Sequence, residues 1–382
     1  ASFETNDLNS NVVWKKNKFS GSIFANYFNT NGYDLNESTP EKTVEPFYNI
    51  TIQPKFYYDF SDDLKLVVGT RYYNQKQDYK ATIDDEKYKG NSNINEWNSQ
   101  IKVTHKWNKK FYSEYEFYAT NYKTDEFLND SNKQLFEANF YKQWLFRPEV
   151  RTTWSFQKSK LTAGIGLNKE TLNRTYFDSN VVFNSQYAFL QYDYNPTDKW
   201  NVLAGFRYDN HQEYQSQWSP KFAVNYKVNQ NISLKSSIGY GFKAPDFRQL
   251  YFDFSNSAIG YAVFGYNVAE TKLDDLDAQG QILFRYDGID FNSELKPENS
   301  INFNLGSYYE KENFKWETNF FYNSISNLID TKAIAQKTNG QNVFSYFNID
   351  EIFTYGIENN FHYKINNFKF SYCNHRQIWC VR

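Results

Sequence analysis

The order of its connections constrains this chain more than anything else in its sequence. Stretches of period-two alternation are joined by a tight turn, then a connection that is usually longer, then another tight turn. The tight turns lie near Lys16-Asn17-Lys18, Ser61-Asp62-Asp63, Asn108-Lys109-Lys110, Gln157-Lys158-Ser159, Asn195-Pro196-Thr197-Asp198, Asn229-Gln230-Asn231, Glu310-Lys311-Glu312-Asn313 and Asn366-Asn367. The connections between them lie near 29–45, 75–93, 123–135, 169–183, 211–216, 243–297 and 330–343, and only the one around His211 is short. A β-sandwich has no reason to keep such parity. A membrane-spanning barrel does, with tight turns at one end and longer loops at the other.

The alternation agrees. Trp200, Val202, Ala204, Phe206 and Tyr208 oppose Asn201, Leu203, Gly205, Arg207 and Asp209; Phe314, Trp316, Thr318, Phe320 and Tyr322 fall on one face of another such run. The strands read as about 10–14 residues, against about 5–6 in ordinary soluble sheets. Helical periodicity does not persist anywhere. Aromatic residues make up 20% of the chain, which a soluble core would not need. No apolar run approaches the roughly 20 residues of a spanning helix, but a barrel spans with strands that are apolar on one face only. The near-balanced charge of -2 gives no sign of a nucleic-acid partner. The expected fold is all-β, an antiparallel transmembrane β-barrel that is incomplete, with about fourteen full strands and a partial strand at each end.

The two ends carry expectations of their own. There is no Met, and no leader segment is legible, so the chain reads as processed or as a fragment. Val12-Val13-Trp14 reads as the end of a strand entered mid-hairpin. The last residues, "SYCNHRQIWCVR", lose the alternation and hold both cysteines, Cys373 and Cys380. Barrel is therefore expected over 1–372, and over 373–382 an anomalous tail without strand pairing, truncated or frame-shifted.

Candidate site residues gather in the longest connection. It opens on "GFKAPDFRQLYF", where Pro245 removes a donor and restricts Ala244, so sheet pairing ends there. Tyr251, Phe252, Phe254, Tyr261, Phe264 and Tyr266 could form a stacking surface for a flat or sugar-like ligand, or simply pack the loop. Lys243 and Arg248 could draw an anionic chelate, or could be solvated charges or contacts to lipid phosphate. His211 lies on a neighbouring outer hairpin. Asp274, Asp275 and Asp277, with Asp287 and Asp290, offer oxygen ligands but not the spacing of a calcium loop. His105, His362 and His375 are scattered, and no histidine pair has metal-ligand spacing. No nucleophile–base order or phosphate loop stands out, so no metal, cofactor or enzyme activity is expected.

At this connection the sequence resembles the TonB-dependent outer-membrane receptors. Phe242, Lys243, Ala244 and Pro245 look like that family's Gly-Phe-Arg-Ala-Pro segment, with Lys243 in the Arg position. "NSELKPENS" looks like its Asn-Pro-Asn-Leu-Lys-Pro-Glu segment: Asn292, Leu295, Lys296, Pro297 and Glu298 match, while Ser293 and Glu294 depart. "FYNSISNLID" and "YFNIDEIFTYGIE" resemble the next hairpin of those receptors. The resemblance implies a place in the outer membrane of a Gram-negative bacterium. It implies active uptake of a large scarce solute such as a ferric siderophore or haem, driven by the TonB complex through a plug domain missing here. It also implies a 22-stranded barrel, of which this chain would be the second to the seventeenth strand. Haem receptors of the family place a ligating His between the two segments; here none lies between Pro245 and Leu295, although Tyr can also ligate haem iron. The rival readings are a passive porin and a secreted carbohydrate-binding β protein. The long loop with its flanking segments favours the receptor over the porin, and detergent-free solubility would favour the secreted protein.

Overall fold

A computed structural model describes every residue except 1–3, 37, 39–41, 84–85, 257–259, 350 and 382. Part of the first long connection and the last residue of the expected tail therefore lie outside the described residues. The chain divides into two compact units, residues 1–152 with 166–184, and residues 153–165 with 185–382.

In the first unit, β1 (Asn6–Lys16), β2 (Phe19–Thr30), β3 (Phe47–Asp59), β4 (Leu64–Ile83), β5 (Glu86–Asn108) and β6 (Phe111–Asn129) are antiparallel neighbours in chain order. The next strands, β7 (Leu135–Ser155), β8 (Ser159–Arg174) and β9 (Val181–Thr197), contribute residues to both units. In the second unit, β10 (Trp200–His211), β11 (Gln217–Lys227) and β12 (Ile232–Lys243) continue the same order. After the long connection, β12 pairs with β16 (Glu298–Lys311), then β17 (Phe314–Ser326), β20 (Ile352–Ile365) and β21 (Phe368–Val381).

Each expected tight turn lies at the junction of two of these strands, though Asn195 to Thr197 and Glu310-Lys311 are still strand. Several take left-handed backbone: Asn17, Glu312 and Asn366 have φ of 52°, 52° and 50°. Asn tolerates that conformation better than most residues, which suits it to two-residue hairpins. One face of the strands carries exposed apolar side chains, among them Ile23, Ile52, Trp97, Ile101 and Phe117 in the first unit and Phe206, Leu234, Leu305, Trp316 and Phe320 in the second. The opposite face is polar. No described helix is long and apolar enough to cross a membrane, which says nothing about a barrel.

Three expectations are corrected. First, several long connections are strand. β4 to β7 run 19 to 23 residues, and pairing reaches Ile83↔Glu86, so the connection expected over 75–93 is largely a hairpin. Polar side chains do not interrupt a backbone ladder where water can reach them. Second, residues 243–297 hold α1 (Phe247–Tyr251), β13 (Asp253–Ser255), β14 (Ala262–Phe264), α2 (Tyr266–Ala278) and β15 (Ile282–Arg285). The connection expected over 330–343 is the hairpin of β18 (Leu328–Lys337) and β19 (Asn342–Ile349). Together these strands form a separate five-stranded sheet, ordered β13-β14-β19-β18-β15, with a parallel pair between β14 and β19. Its core is Ala262, Phe264, Ala269, Leu273, Ile334, Ala335 and Val343. Third, residues 373–381 pair regularly with β20, from Cys373↔Asn360 to Val381↔Ile352. Loss of side-chain alternation does not prevent backbone pairing once a turn such as Asn366-Asn367 has set the register.

Candidate functional site

The two segments at the ends of the long connection form a clasp. Lys243 and Glu298 face each other in the β12–β16 register, and Lys243 Nζ lies 3.0 Å from Glu298 Oε1. The same carboxylate oxygen accepts the backbone N–H of Ile329 at 3.1 Å, at the start of β18. Asn348 closes the other side: its Oδ1 accepts from Lys296 N, and its Nδ2 donates to the carbonyls of Lys296 and Asn327, each at 2.8 Å. Pro245, Pro297 and Leu295 are buried at this junction. Asn292 caps the preceding bend, its N–H donating to Asp290 Oδ1 at 2.8 Å. Phe242 lies with its ring 6.4 Å from Tyr214. Ala244 is half-buried between these groups. The segments thus bolt the small sheet to the wall strands.

The connection's candidate ligand residues mostly serve its own packing. Asp246 caps α1 and forms a capping box with Gln249. Gly265 is required where it meets the end of α1, because a Cβ there would lie 2.4 Å from the Leu250 carbonyl carbon and the Tyr251 nitrogen. Tyr266 is buried between Phe291 and Phe347 and shares a hydrogen bond with Ser293 Oγ at 3.2 Å. Phe264 is in the small core. Phe254 stacks on Phe252 at 5.5 Å and meets Tyr261 edge-on at 5.9 Å. Arg248 lies over the Tyr346 ring at 5.9 Å. Tyr251 donates its hydroxyl to Glu213 Oε2 at 2.6 Å; burial and then that carboxylate push its phenol up to about 12. His211 stacks on Tyr214 at 4.0 Å, and its Nδ1 accepts the Glu213 N–H. Arg285 holds Asp274 and Asp277, each at 2.8 Å, which removes two of the acids considered for calcium. Among the described residues no group of three or more His, Cys, Asp and Glu could hold a metal ion. A cleft of about 370 Å³ beside α2 is lined by Glu213, Glu270 and Glu294 and is acidic.

The polar face of the first unit carries a second arrangement that sequence reasoning missed. Arg71 lies over the Tyr73 ring at 5.0 Å and pairs with Glu96 at 2.8 Å. Asn98 donates to Glu96 at 2.5 Å and accepts from Tyr118 at 3.0 Å, and Arg147 covers the Tyr118 ring at 5.2 Å. Toward the long-connection end, Tyr122 meets Tyr141 edge-on at 5.7 Å. Arg174 lies over both Tyr141, at 5.6 Å, and Phe177, at 5.8 Å. Tyr122, Tyr141, Arg174 and Tyr176 line a cavity of about 550 Å³. Thr124 Oγ1 and Asn139 Oδ1, in the same lining, have no hydrogen-bond partner. Tyr176 has φ 73°, a conformation costly for a residue with a Cβ and one that clusters at ligand sites. Burial, followed by its hydrogen bond to Glu137, raises the Tyr176 phenol above its ordinary value. The cavity therefore combines a delocalised cation, one carboxylate (Glu126, which accepts from Ser92 Oγ at 3.1 Å), aromatic faces and unsatisfied polar atoms.

The family profile described as "TonB dependent receptor-like, beta-barrel" matches residues 2–377. The chain is 26% identical over 184 residues to a protein of Acinetobacter baumannii named "Probable TonB-dependent siderophore receptor PirA", covering 48% of this chain and 22% of that protein. It is 23% identical over 288 residues to the vitamin B12 transporter BtuB of Vibrio cholerae, covering 75% of this chain and 35% of that one. Its fold matches the crystal structure of the siderophore receptor PirA from Pseudomonas aeruginosa with a TM-score of 0.75, at 16% identity, over 99% of this chain and 63% of that chain. The chain thus spans between about a fifth and two-thirds of the length of these relatives.

Proposed function

The chain belongs to the TonB-dependent receptor-like β-barrel family of the Gram-negative outer membrane, and from that premise we propose that it supplies wall and outer loops for active uptake of an anionic ferric chelate. In this reading the apolar face meets lipid, the polar face lines the lumen, and the long connections lie outside the cell. Energy comes from the TonB complex through a plug domain, as the family implies. The relatives are named as receptors and transporters, which supports uptake rather than catalysis.

The observation that carries the choice of ligand class is Arg174 between the Tyr141 and Phe177 rings at the wall of a lumen-facing cavity. A guanidinium attracts negative charge, aromatic faces supply rigid contact area, and both suit a chelate that is bulky, anionic and ring-bearing. The acidic cleft beside α2 suits such a ligand less well, since Glu213, Glu270 and Glu294 would repel it. Tyr251 stays a protonated donor to Glu213 and Tyr266 is packed away, which weakens tyrosinate ligation of haem by either. Arg248, Phe254, Tyr261, Lys243 and His211 remain as secondary contacts at the loop surface.

The test is equilibrium binding by cells carrying the complete receptor, with a ferric catecholate, a ferric hydroxamate, haem and cobalamin as probes. Arg174→Gln is expected to weaken the preferred ferric chelate about tenfold at unchanged surface level, the effect of losing one well-placed contact. Preference for haem or cobalamin, or an unchanged affinity, would overturn the assignment of this cavity.

A further inference from the structure

The cavity of the first unit holds more hydrogen-bond acceptors than its single positive charge accounts for. Arg174, at the end of β8, is the one cation among the described residues of its lining. Against it stand the Glu126 carboxylate and Thr124 Oγ1 on β6 and Asn139 Oδ1 on β7. The last two are buried without a protein partner. A bare anion would satisfy Arg174 and leave Asn139 Oδ1 as it is, because neither has a proton to give.

Asn139 is not free to turn its oxygen away. Its Nδ2 donates to Glu137 Oε1 at 3.0 Å, and a carboxylate only accepts, so the amide is oriented with Oδ1 in the lining. Tyr176 donates its hydroxyl to the same Glu137 oxygen at 3.1 Å. It does so from an unfavourable backbone. The Phe177 N–H donates to the Arg174 carbonyl at 3.3 Å, closing a turn over 174–177 in which Tyr176 is third. Tyr176 has φ 73° while Thr175 is not left-handed, the pattern of a type II turn, whose third position favours Gly or Asn. A tyrosine there costs stability and brings a phenol to Glu137, where it steadies the carboxylate that orients Asn139.

Such a lining discriminates between ligands of equal charge. A site built around a buried acceptor rejects an analogue that lacks the donor, since the acceptor is then desolvated for nothing. Glu126 acts in the same direction: its Oε1 accepts from Ser92, and its charge opposes an anion that brings no donor. Resting on the reading of this cavity as the ligand site, we propose that Asn139 and Thr124 are its specificity-determining residues. They select anionic chelates whose arm presents an N–H or O–H donor, and Glu137 and Tyr176 are the residues that position Asn139.

Two inert chromium tris-catecholates serve as probes, one built from the N-methylamide of protocatechuic acid and one from its methyl ester. They have the same charge and shape and differ in N–H for O. Equilibrium binding is measured on the complete receptor in detergent. Wild type is expected to prefer the amide about tenfold. Asn139→Leu should remove most of that preference while leaving ester affinity unchanged; should it impair assembly, Thr124→Val, which keeps the side-chain shape, reads the same loss in smaller measure. Tyr176→Gly should raise the melting temperature by about 2 °C and still narrow the preference, whereas a merely structural tyrosine would move stability alone. Arg174→Gln should weaken both probes and keep their ratio. Equal affinity for the two probes in wild type, with both weakened by Arg174→Gln, would overturn the proposal and leave the cavity as the ligand site; it is the result expected if water satisfies the two oxygens. Preference retained in both Asn139→Leu and Thr124→Val would also overturn it. Indifference of both probes to Arg174→Gln would overturn the assignment of the cavity, and the proposal with it.

Discussion

Replacing Glu298 tests whether the clasp, rather than the loop's own core, anchors the outer sheet. Two interactions converge on Glu298 Oε1. The Lys243 ammonium is 3.0 Å away, but its side chain is 59% exposed, so solvent screens the pair to about 0–1 kcal/mol. The Ile329 N–H, 3.1 Å away, is buried, and leaving it without an acceptor costs about 1–3 kcal/mol. Glu298→Ala removes both and is expected to destabilise the start of β18 by about 2 kcal/mol, which is roughly 30-fold faster local opening. Glu298→Gln keeps an acceptor for Ile329 and is expected to cost under about 1 kcal/mol, as is Lys243→Ala. The assay is hydrogen exchange of the amides of β18 in the detergent-solubilised protein. The reasoning is refuted if Ile329 exchanges at the wild-type rate in Glu298→Ala, or if Glu298→Gln is as damaging as the alanine.

Tyr251→Phe is expected to remove one high-titrating tyrosine from an ultraviolet pH titration. Its folded pKa of about 12 lies above the ordinary 10, so its contribution to stability is present below about pH 10 and lost toward pH 12; an unchanged titration would show that another phenol carries the shift. A cysteine at Asp287, in the outer connection, should react with a membrane-impermeant maleimide on intact cells, and one at Lys109, in a tight turn, should not; the reverse would invert the orientation. Arg376→Leu should stabilise the protein in lipid vesicles by about 2 kcal/mol, read as a shifted urea midpoint, and no gain in lipid would place Arg376 away from hydrocarbon.

The wall was legible because lipid imposes a strict rule on it. Trp200 to Tyr208 and Phe314 to Tyr322 alternate because one face must be apolar, and the tight turns follow from the need to pair neighbouring strands at once. The small outer sheet obeys no such rule. Its core joins Ala262 and Phe264 to Ile334, Ala335 and Val343, some 70 to 80 residues apart, through a parallel strand pair. Short strands with long separations leave little local pattern. Two local signals were readable: Asp246 with Gln249 as a capping box, and Tyr266, Ala269 and Leu273 at helical spacing in α2. The Arg and Tyr cluster of the first unit was obscured for another reason. Around Tyr115, Phe117, Tyr118 and Tyr122 both faces of β6 carry aromatics, one for lipid and one for the lumen, so hydropathy alone does not separate them.

The end of the chain separates two properties that usually travel together. β21 is an ordinary strand by its backbone, since every described position from Phe368 to Val381 has a partner on β20. Its side chains tell a different story. Phe368, Phe370 and Tyr372 continue the outward apolar face, then Asn374 and Arg376 interrupt it before Ile378. Arg376 stands opposite Ile357, which stands opposite Phe320, in the middle of the apolar belt. An arginine there costs about 2–4 kcal/mol when hydrocarbon surrounds it. Backbone hydrogen bonds are blind to that cost, because the ladder uses the same groups whatever the side chain. Alternation therefore reports where a strand meets lipid, and pairing reports only that it is a strand. Over most of this wall the two coincide, which is why sequence and fold agree there. In β21 they part, and the pattern after Tyr372 marks a strand whose outward face is unsuited to the hydrocarbon that its neighbour β20, and β17 beyond it, are built to meet.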